Sequence, residues 1–354
     1  MKLSRKFWLI TAILVILPAT NATAQLSNPG NQSQLWDRSA AINSSRSVDV
    51  QTVVRKLIQP AALTDGKNTV QALIDLSLRE DWPAPAREAA IYDFTRALTN
   101  RASHTVSPDI LEYLSSYQAQ ILIKGEHRGV QPLFNIRAAA AGVENGWLRA
   151  DSKQQALKPL LQNPVEWLAM YASARHPAQR SGYLDALKLA NLDDIRPIQI
   201  QALQQLAGQP ELTAVIATTI SLNADIDAMH QLLLHARGAE IAPALNNLAR
   251  VTNKMEQAAL LDFAIKQSPA ENAALAIASW GAALTARPET HQLLLDTLAD
   301  PELGSSAALA LANKANIQTI RELQLLSQGD GLAARRARLA LEINRESIIQ
   351  EQRR

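Results

Sequence analysis

The chain lacks cysteine and is poor in aromatic residues, which make up 4% of its 354 residues. Without cysteine there is no disulfide framework, no thiolate chemistry and no lipoprotein anchor. Stability must therefore come from an apolar core, for which a chain of this length is ample. Alanine and leucine are abundant instead, and this composition favours helices.

Long apolar runs are missing beyond the first 24 residues. Three basic residues precede an apolar stretch over 7–17, and Ala-Thr-Ala follows at 22–24. This order predicts a signal peptide over 1–24 with cleavage near Ala24, and therefore a periplasmic or secreted protein. The apolar stretch is shorter than the roughly 20 residues that span a bilayer, so we expect no membrane span after cleavage.

No charge of one sign predominates. The chain has 35 Lys and Arg against 33 Asp and Glu, and loss of the three basic residues of the signal peptide leaves 32 against 33. Proteins that bind nucleic acid usually have a clear basic excess. We therefore expect no nucleic-acid partner.

Recognisable catalytic and cofactor motifs are missing as well. The chain contains no H-E-x-x-H zinc motif, no P-loop, no dinucleotide-binding glycine pattern and no G-x-S-x-G elbow. Its six histidines are scattered along the sequence. We therefore expect a protein that is not an enzyme and that holds no cofactor and no metal.

Helical periodicity dominates from residue 49 onward. In three segments the apolar residues recur on one helical face, and Asp225 is predicted to cap the first of these helices. The residues of the three faces are Ile226, Met229, Leu233 and Ala236; Ile241, Leu245 and Leu248; and Met255, Ala258, Leu261 and Ile265. The only strand candidate, 119–124, is too isolated to predict a sheet.

Three regions follow the signal peptide. Residues 25–48 are rich in Asn, Gln and Ser without apolar periodicity, which predicts a flexible polar linker. Residues 49–164 are predicted to form an N-terminal helical region with an irregular insertion. Residues 165–354 are predicted to form a repeat array that ends in a C-terminal capping helix.

Helix-breaking residues recur in this last region at spacings of 28 to 33 residues, each ahead of a helix of small residues. These breakers are Pro177, Pro210, Gly238, Pro269, Pro301 and Gly331. One hairpin cannot bury both faces of two amphipathic helices, so such units stack on one another. The spacing predicts an all-α fold, an α-solenoid of stacked antiparallel helix pairs with a period of about 31 residues.

The segment "ADPELGSSAALALAN" over 299–313 resembles the bacterial HEAT-like repeat, in which Asp-Pro precedes a second helix rich in Ala and Leu. The segment "PAREAAIYDFTRAL" over 85–98 is similar to it, with Arg87 where that family usually has an arginine. Arg180 and Arg335 fit the same place. The resemblance implies a HEAT-like architecture, which hosts many activities and specifies none of them. Tetratricopeptide repeats are the alternative, although their aromatic and glycine signature is missing.

Residues 101–150 interrupt the repeat rhythm. Loops inserted into a solenoid often form its contact surface, although a plain connection between helices is the alternative. Within this region, 123–136 is expected to be a turn leading into a helix that begins near Pro132. A metal bound by His104 and His127 is a further alternative. The candidate partner-contact residues are His104, Glu126, His127, Arg128, Asn135, Arg137 and Trp147.

These observations predict an exported helical-repeat scaffold or adaptor that binds another envelope protein without catalysing a reaction. The alternative is an all-α toroid-type enzyme acting on a cell-envelope polysaccharide, with residues such as Glu126 paired with His127 or Tyr113. A pocket that brings together two carboxylates, or a carboxylate and a tyrosine, would favour the enzyme. A metal-dependent envelope protein is the third hypothesis.

Overall fold

The structure is a computed structural model that describes residues 33–125, 129–236, 238–313 and 315–351. The predicted signal peptide, 1–24, lies outside these residues. Most of the described chain is helical, as expected. The chain divides into two compact units, Met1–Val143 and Glu144–Arg354. The division falls inside a helix, whereas we expected a boundary after residue 164.

The N-terminal unit combines short helices with three short strands. Its helices and strands, in chain order, are β1 Gln34–Trp36, α1 Arg38–Ser45, α2 Val50–Leu57, α3 Pro60–Thr64, α4 Gly66–Leu78, α5 Ala84–Ala97, α6 Pro108–Ser116, β2 Ile121–Lys124, β3 Val130–Pro132 and the first residues of α7 Ile136–Gln162.

The three strands form one sheet in the order β1–β2–β3. β1 pairs with β2 in parallel, and β2 pairs with β3 antiparallel. Two predictions are therefore wrong. The strand candidate at 119–124 does build a sheet, because β1, one of its two partners, comes from a distant segment. Residues 34–45 of the expected flexible linker form β1 and α1 instead.

The helix expected near Pro132 begins at Ile136 instead. Pro132 ends β3, at the edge of the sheet, where a proline without an N–H group is tolerated. Asn135 starts the helix, since its side-chain oxygen accepts a hydrogen bond from the N–H of Ala138 at 3.0 Å.

Helix α5 is the centre of the N-terminal unit. It packs against α1, α2, α4 and β2. Small residues such as Ala86 and Ala90 let these neighbours approach, and Ile91 and Phe94 fill the space between them; all four are completely buried. The helix that resembles a HEAT-like repeat is therefore a core element of this unit.

The second unit is built from helices. They are the rest of α7, then α8 Pro164–Ser173, α9 Pro177–Leu187, α10 Leu192–Gln205, α11 Thr213–Asn223, α12 Ile226–His235, α13 Ala242–Val251, α14 Lys254–Gln267, α15 Ala270–Ala276, α16 Ala282–Leu284, α17 Pro288–Thr297, α18 Gly304–Asn313, α19 Ile317–Ser327 and α20 Leu332–Glu351. A π-helical segment, Ile277–Gly281, joins α15 to α16.

The helices of this unit contact their neighbours in chain order. One set of contacts runs α8–α10–α12–α14–α17, and another runs α9–α11–α13–(α15, α16 and the π segment between them)–α18–α20. Side-chain contacts extend both sets: Arg149 of α7 forms a salt bridge with Asp185 of α9, and His291 of α17 is hydrogen-bonded to Glu322 of α19. We call α8, α10, α12, α14, α17 and α19 row 1, and the remaining helices row 2.

The predicted helical faces are largely confirmed. Asp225 caps α12 by accepting the N–H of Ala228 at 2.9 Å, and the α12 and α13 faces are buried except for the partly exposed Ile226. The α14 face was wrong at its first position, because Met255 is 66% exposed. The helix buries Gln257 and Leu260 instead.

Polar side chains fasten successive helices to one another. The buried Asn272 donates to the carbonyl oxygens of two residues at the end of α12. Arg180 donates to the carbonyl of Ala174 at 2.9 Å. Arg336 donates hydrogen bonds to the carbonyl oxygens of three residues that follow α17. Arg335, the residue that fits the arginine position of the HEAT-like repeat, is exposed instead.

No helix of the described residues is both long and apolar enough to cross a bilayer.

Candidate functional site

The candidate site lies in the N-terminal unit, around the segment Leu133–Asn135 that joins β3 to α7. Two clefts flank this segment, and Phe134 lines both of them. Its ring packs on Tyr92 of α5, with 5.8 Å between the ring centroids. The guanidinium of Arg96 lies 5.8 Å from the centroid of the Tyr92 ring. These contacts hold the segment against the helix.

Glu88 of α5 is hydrogen-bonded to the beginning of β2. Its carboxylate is completely buried and accepts the N–H of Gln120 at 2.7 Å and the N–H of Ile121 at 3.1 Å. The side chain of α5 therefore holds the beginning of β2. Burial raises the pKa of Glu88 to about 7, although the two hydrogen bonds favour its charged form.

Tyr117, which follows α6, lies near this carboxylate, and Tyr113 of α6 packs on Tyr117. Tyr113 and Tyr117 are buried and pack edge to face with 6.1 Å between their centroids. Burial and the neighbouring Glu88 raise the pKa of Tyr117 far above its usual value. A carboxylate and a tyrosine do meet here, but Glu88 is shielded from solvent, so this pair is a structural support rather than a reactive site.

The smaller cleft, of about 240 Å³, opens beside the sheet. It is lined by Ser33, Tyr117, Gln118, Ala119, Leu122, Pro132, Phe134, Asn135, Ile136 and Arg137. Asn135 and Arg137 are exposed residues at the beginning of α7. The cleft thus combines an apolar wall with amide and guanidinium groups.

The larger cleft, of about 540 Å³, opens on the other side of Phe134. Its walls come from the α1–α2 connection, from α5 and from the β3–α7 segment. It is lined by Ile42, Ser45, Arg46, Val48, Asp49, Val50, Gln51, Ala89, Asp93, Leu133 and Phe134. Most of these side chains are apolar, with charged groups among them, as is typical of ligand and peptide sites.

Two carboxylates line this larger cleft. Asp93 is partly buried, which raises its pKa, and it accepts a hydrogen bond from Nε2 of Gln51 at 3.0 Å. Asp49 caps α2 and accepts both the hydroxyl and the N–H of Thr52, which lowers its pKa. The two groups therefore differ in their tendency to ionise, but both already accept hydrogen bonds from neighbouring residues.

The structure describes four of the seven predicted contact residues. Asn135 and Arg137 come together in the smaller cleft. His104 is exposed in a separate turn, and Trp147 is buried in the Glu144–Arg354 unit. The other three predicted residues, 126–128, lie outside the described part of the chain.

Nothing in the described residues groups three or more potential metal ligands of the His, Cys, Asp and Glu types. His104 is in any case remote in sequence from the nearest described histidine, His176. The metal pair of His104 and His127 includes a residue that the structure does not describe.

Sequence analysis missed the larger cleft. Asp93 and Phe134 carry no recognisable motif, and Arg46 lies in a segment that we expected to be a flexible linker. The one available signal was the apolar pair Leu133 and Phe134, directly after a proline.

Comparisons with protein-family models, with curated proteins and with solved structures found no match to this chain.

Proposed function

We propose that the chain is an exported, non-enzymatic scaffold or adaptor that binds another protein of the cell envelope, and that its second unit is a HEAT-like α-solenoid. The observation that carries this proposal is the contact pattern of the second unit, in which each row follows chain order. Stacked helix pairs have such contacts, because each repeat touches its neighbours. Solenoids of this kind commonly provide extended binding surfaces.

The helix caps support the repeat independently. Five of the six row 1 helices begin with an Asn or Asp whose side chain accepts a backbone N–H: Asn163, Asn191, Asp225, Asn253 and Asn316. The exception is α17, which begins after Arg287. From the first cap to the last there are five repeat steps, which average about 31 residues, the period predicted from the breakers.

The larger cleft of the N-terminal unit is the partner site that we propose. Its apolar wall, with Leu133 and Phe134, suits an apolar side chain of a partner. Asp93 and Arg46 offer charged groups of both signs at its side. A peptide segment that pairs an apolar side chain with polar groups therefore matches it better than a uniformly charged ligand does.

A photocrosslinking experiment tests this proposal. Benzoylphenylalanine replaces Arg46, which lines the cleft, or in a control Arg55, which is also exposed, on α2, but lines neither cleft. Irradiation of envelope preparations should give a discrete crosslinked product from position 46 alone. Additional replacement of Phe134 by serine should remove that product. Equal products from both positions would contradict a partner site in the cleft.

An enzyme is the second candidate, because Asp49 and Asp93 line one cleft and their pKa values move in opposite directions. Pairs of this kind serve glycoside hydrolysis as base or nucleophile and as acid. The adaptor is better supported, since Asp49 is already held by Thr52 as a helix cap. If the cleft is catalytic, the purified protein should release fragments from envelope polysaccharide, and Asp93→Asn should abolish their release.

A further inference from the structure

Exposed apolar side chains gather at one class of turn in the second unit. Each turn from a row 2 helix to the following row 1 helix, except the turn before α17, carries at least one such residue, between 38% and 72% exposed. These residues, with their turns, are Leu161 and Val165 (α7–α8), Leu189 and Leu192 (α9–α10), Leu222 (α11–α12), Val251 and Met255 (α13–α14) and Ile317 (α18–α19).

These turns lie at one end of the helix pairs. Helices joined by a short turn run antiparallel, so alternate turns of the array lie at opposite ends. Among the described residues, five of the six turns at the opposite end, from row 1 to row 2, carry no exposed large apolar residue. The sixth, between α19 and α20, carries three, Leu325, Leu326 and Leu332. We call the turns that lead from a row 2 helix to the following row 1 helix, with their exposed apolar and charged residues, the turn ridge.

Charge is unevenly distributed along the turn ridge. The three turns before α8, α10 and α12, over 161–166, 188–194 and 222–227, contain five carboxylates and one lysine. The next two turns, over 250–256 and 285–289, contain three basic residues and two carboxylates. The charged residues in the first group are Glu166, Lys188, Asp193, Asp194, Asp225 and Asp227, and those in the second are Arg250, Lys254, Glu256, Arg287 and Glu289.

We propose that the turn ridge is a self-association surface on which a second copy of the chain packs antiparallel, about a two-fold axis at the α11–α12 turn. The proposal rests on the two-row arrangement of the proposed function. A two-fold axis presents the same surface to itself in reverse order, so that the α9–α10 turn of one copy faces the α13–α14 turn of the other.

In this register the apolar and the charged groups match between the α9–α10 and α13–α14 turns, whereas Leu161 and Val165 face the α16–α17 turn, which carries no exposed large apolar residue. Leu189 and Leu192 meet the partner copy's counterpart turn, which carries Val251 and Met255. The acidic pair Asp193 and Asp194 in the same turn meets a basic turn. Apolar contact supplies the free energy of association, and the opposite charges select the antiparallel register.

The centre of the ridge is compatible with this packing. Leu222 of one copy meets Leu222 of the other at the axis. Asp225 and Asp227 lie in the first turn of α12, where the N-terminal amides of the helix offset their charge. Asp225 accepts a hydrogen bond from one of these amides, the N–H of Ala228.

Sedimentation equilibrium of the purified protein tests the proposal. The protein should be a dimer at about 100 μM, and Leu189→Ser with Leu192→Ser should weaken the dimer at least about tenfold. Ile200→Ser with Leu309→Ser is the matched control, because these residues are similarly exposed on helices but lie outside the turns. The control should leave the dimer unchanged. A monomeric wild-type protein, or equal loss in both variants, would overturn the proposal.

Charge reversal tests the register. Asp193→Lys with Asp194→Lys, and separately Arg250→Asp with Lys254→Asp, should each weaken the dimer, and a mixture of the two variants should form a heterodimer. No recovery in the mixture would overturn the antiparallel register. Flotation with neutral phosphatidylcholine vesicles gives the remaining outcome: ridge-dependent binding to vesicles by a monomer would assign the ridge to lipid instead. Circular dichroism checks that each variant is folded.

The crosslinking at position 46 separates this proposal from the proposed function. Partner crosslinking that survives in the ridge variants, together with a monomeric wild-type protein, would refute self-association alone. A dimer without any crosslinked partner would refute the adaptor function alone.

Discussion

Replacing Glu88 with glutamine isolates the effect of a buried carboxylate on stability. Glu88 has no exposed surface, and both of its oxygens accept backbone N–H groups, from Gln120 and Ile121. Glutamine has nearly the same shape but never ionises. It keeps one acceptor oxygen and turns a donor toward the other N–H, so one of the two hydrogen bonds is lost at every pH.

The magnitude follows from the displacement of the pKa. Glu88 has a pKa of about 7 in the folded protein against 4.5 for an unperturbed glutamate. The folded state therefore binds the proton more tightly, and the stability from Glu88 is complete below pH 4.5 and is lost as the pH rises through 7. Between pH 5 and pH 8 the loss amounts to about 2–3 kcal/mol, at roughly 1.4 kcal/mol for each unit of pKa displacement.

Urea unfolding of the wild-type protein and Glu88→Gln at pH 5, 6, 7 and 8 measures this loss. All other ionisable groups are the same in the two proteins, so the informative quantity is the difference in unfolding free energy between them, in which the effects of those groups cancel. The difference should move by about 2–3 kcal/mol in favour of Glu88→Gln as the pH rises. A difference that is constant with pH would refute the assignment of a raised pKa to Glu88.

Further substitutions test the packing of the second unit. Asn272→Ala should lower the free energy of unfolding by about 2–4 kcal/mol, measured by urea denaturation, because it leaves two buried carbonyls without donors. Arg336→Ala should lower the melting temperature, whereas removal of the exposed Arg335 in Arg335→Ala should not. Gly182→Ala should destabilise the protein because its methyl group would overlap the carbonyl oxygen of Arg149, and an unchanged melting temperature would contradict that close approach.

The helices of the second unit were largely predictable. The N-cap at Asp225 and the buried faces of α12 and α13 follow from the spacing of capping and apolar residues within one or two helical turns. Folding does not change which of these residues share a helical face. The failure at Met255 has a physical reason. A methionine at the beginning of a helix continues the apolar pattern, but whether a neighbouring helix covers it depends on the packing of the next pair.

The sheet and the clefts were not predictable in the same way. β2 reads as an isolated apolar run until β1 is placed beside it, and β1 lies in a segment whose composition is that of a linker. Asp93 and Phe134 are ordinary residues in the sequence. They become part of a cleft only because α5 and the β3–α7 segment pack together.

The sequence by itself determined that this is a helical protein, because helix propensity, capping and apolar spacing act over a few neighbouring residues. Tertiary structure alone decided that Glu88 is buried beneath a strand, that two clefts flank Phe134, and which apolar residues remain exposed in the turns. Each of these depends on burial and pairing between residues far apart in the chain, and no local pattern encodes those contacts.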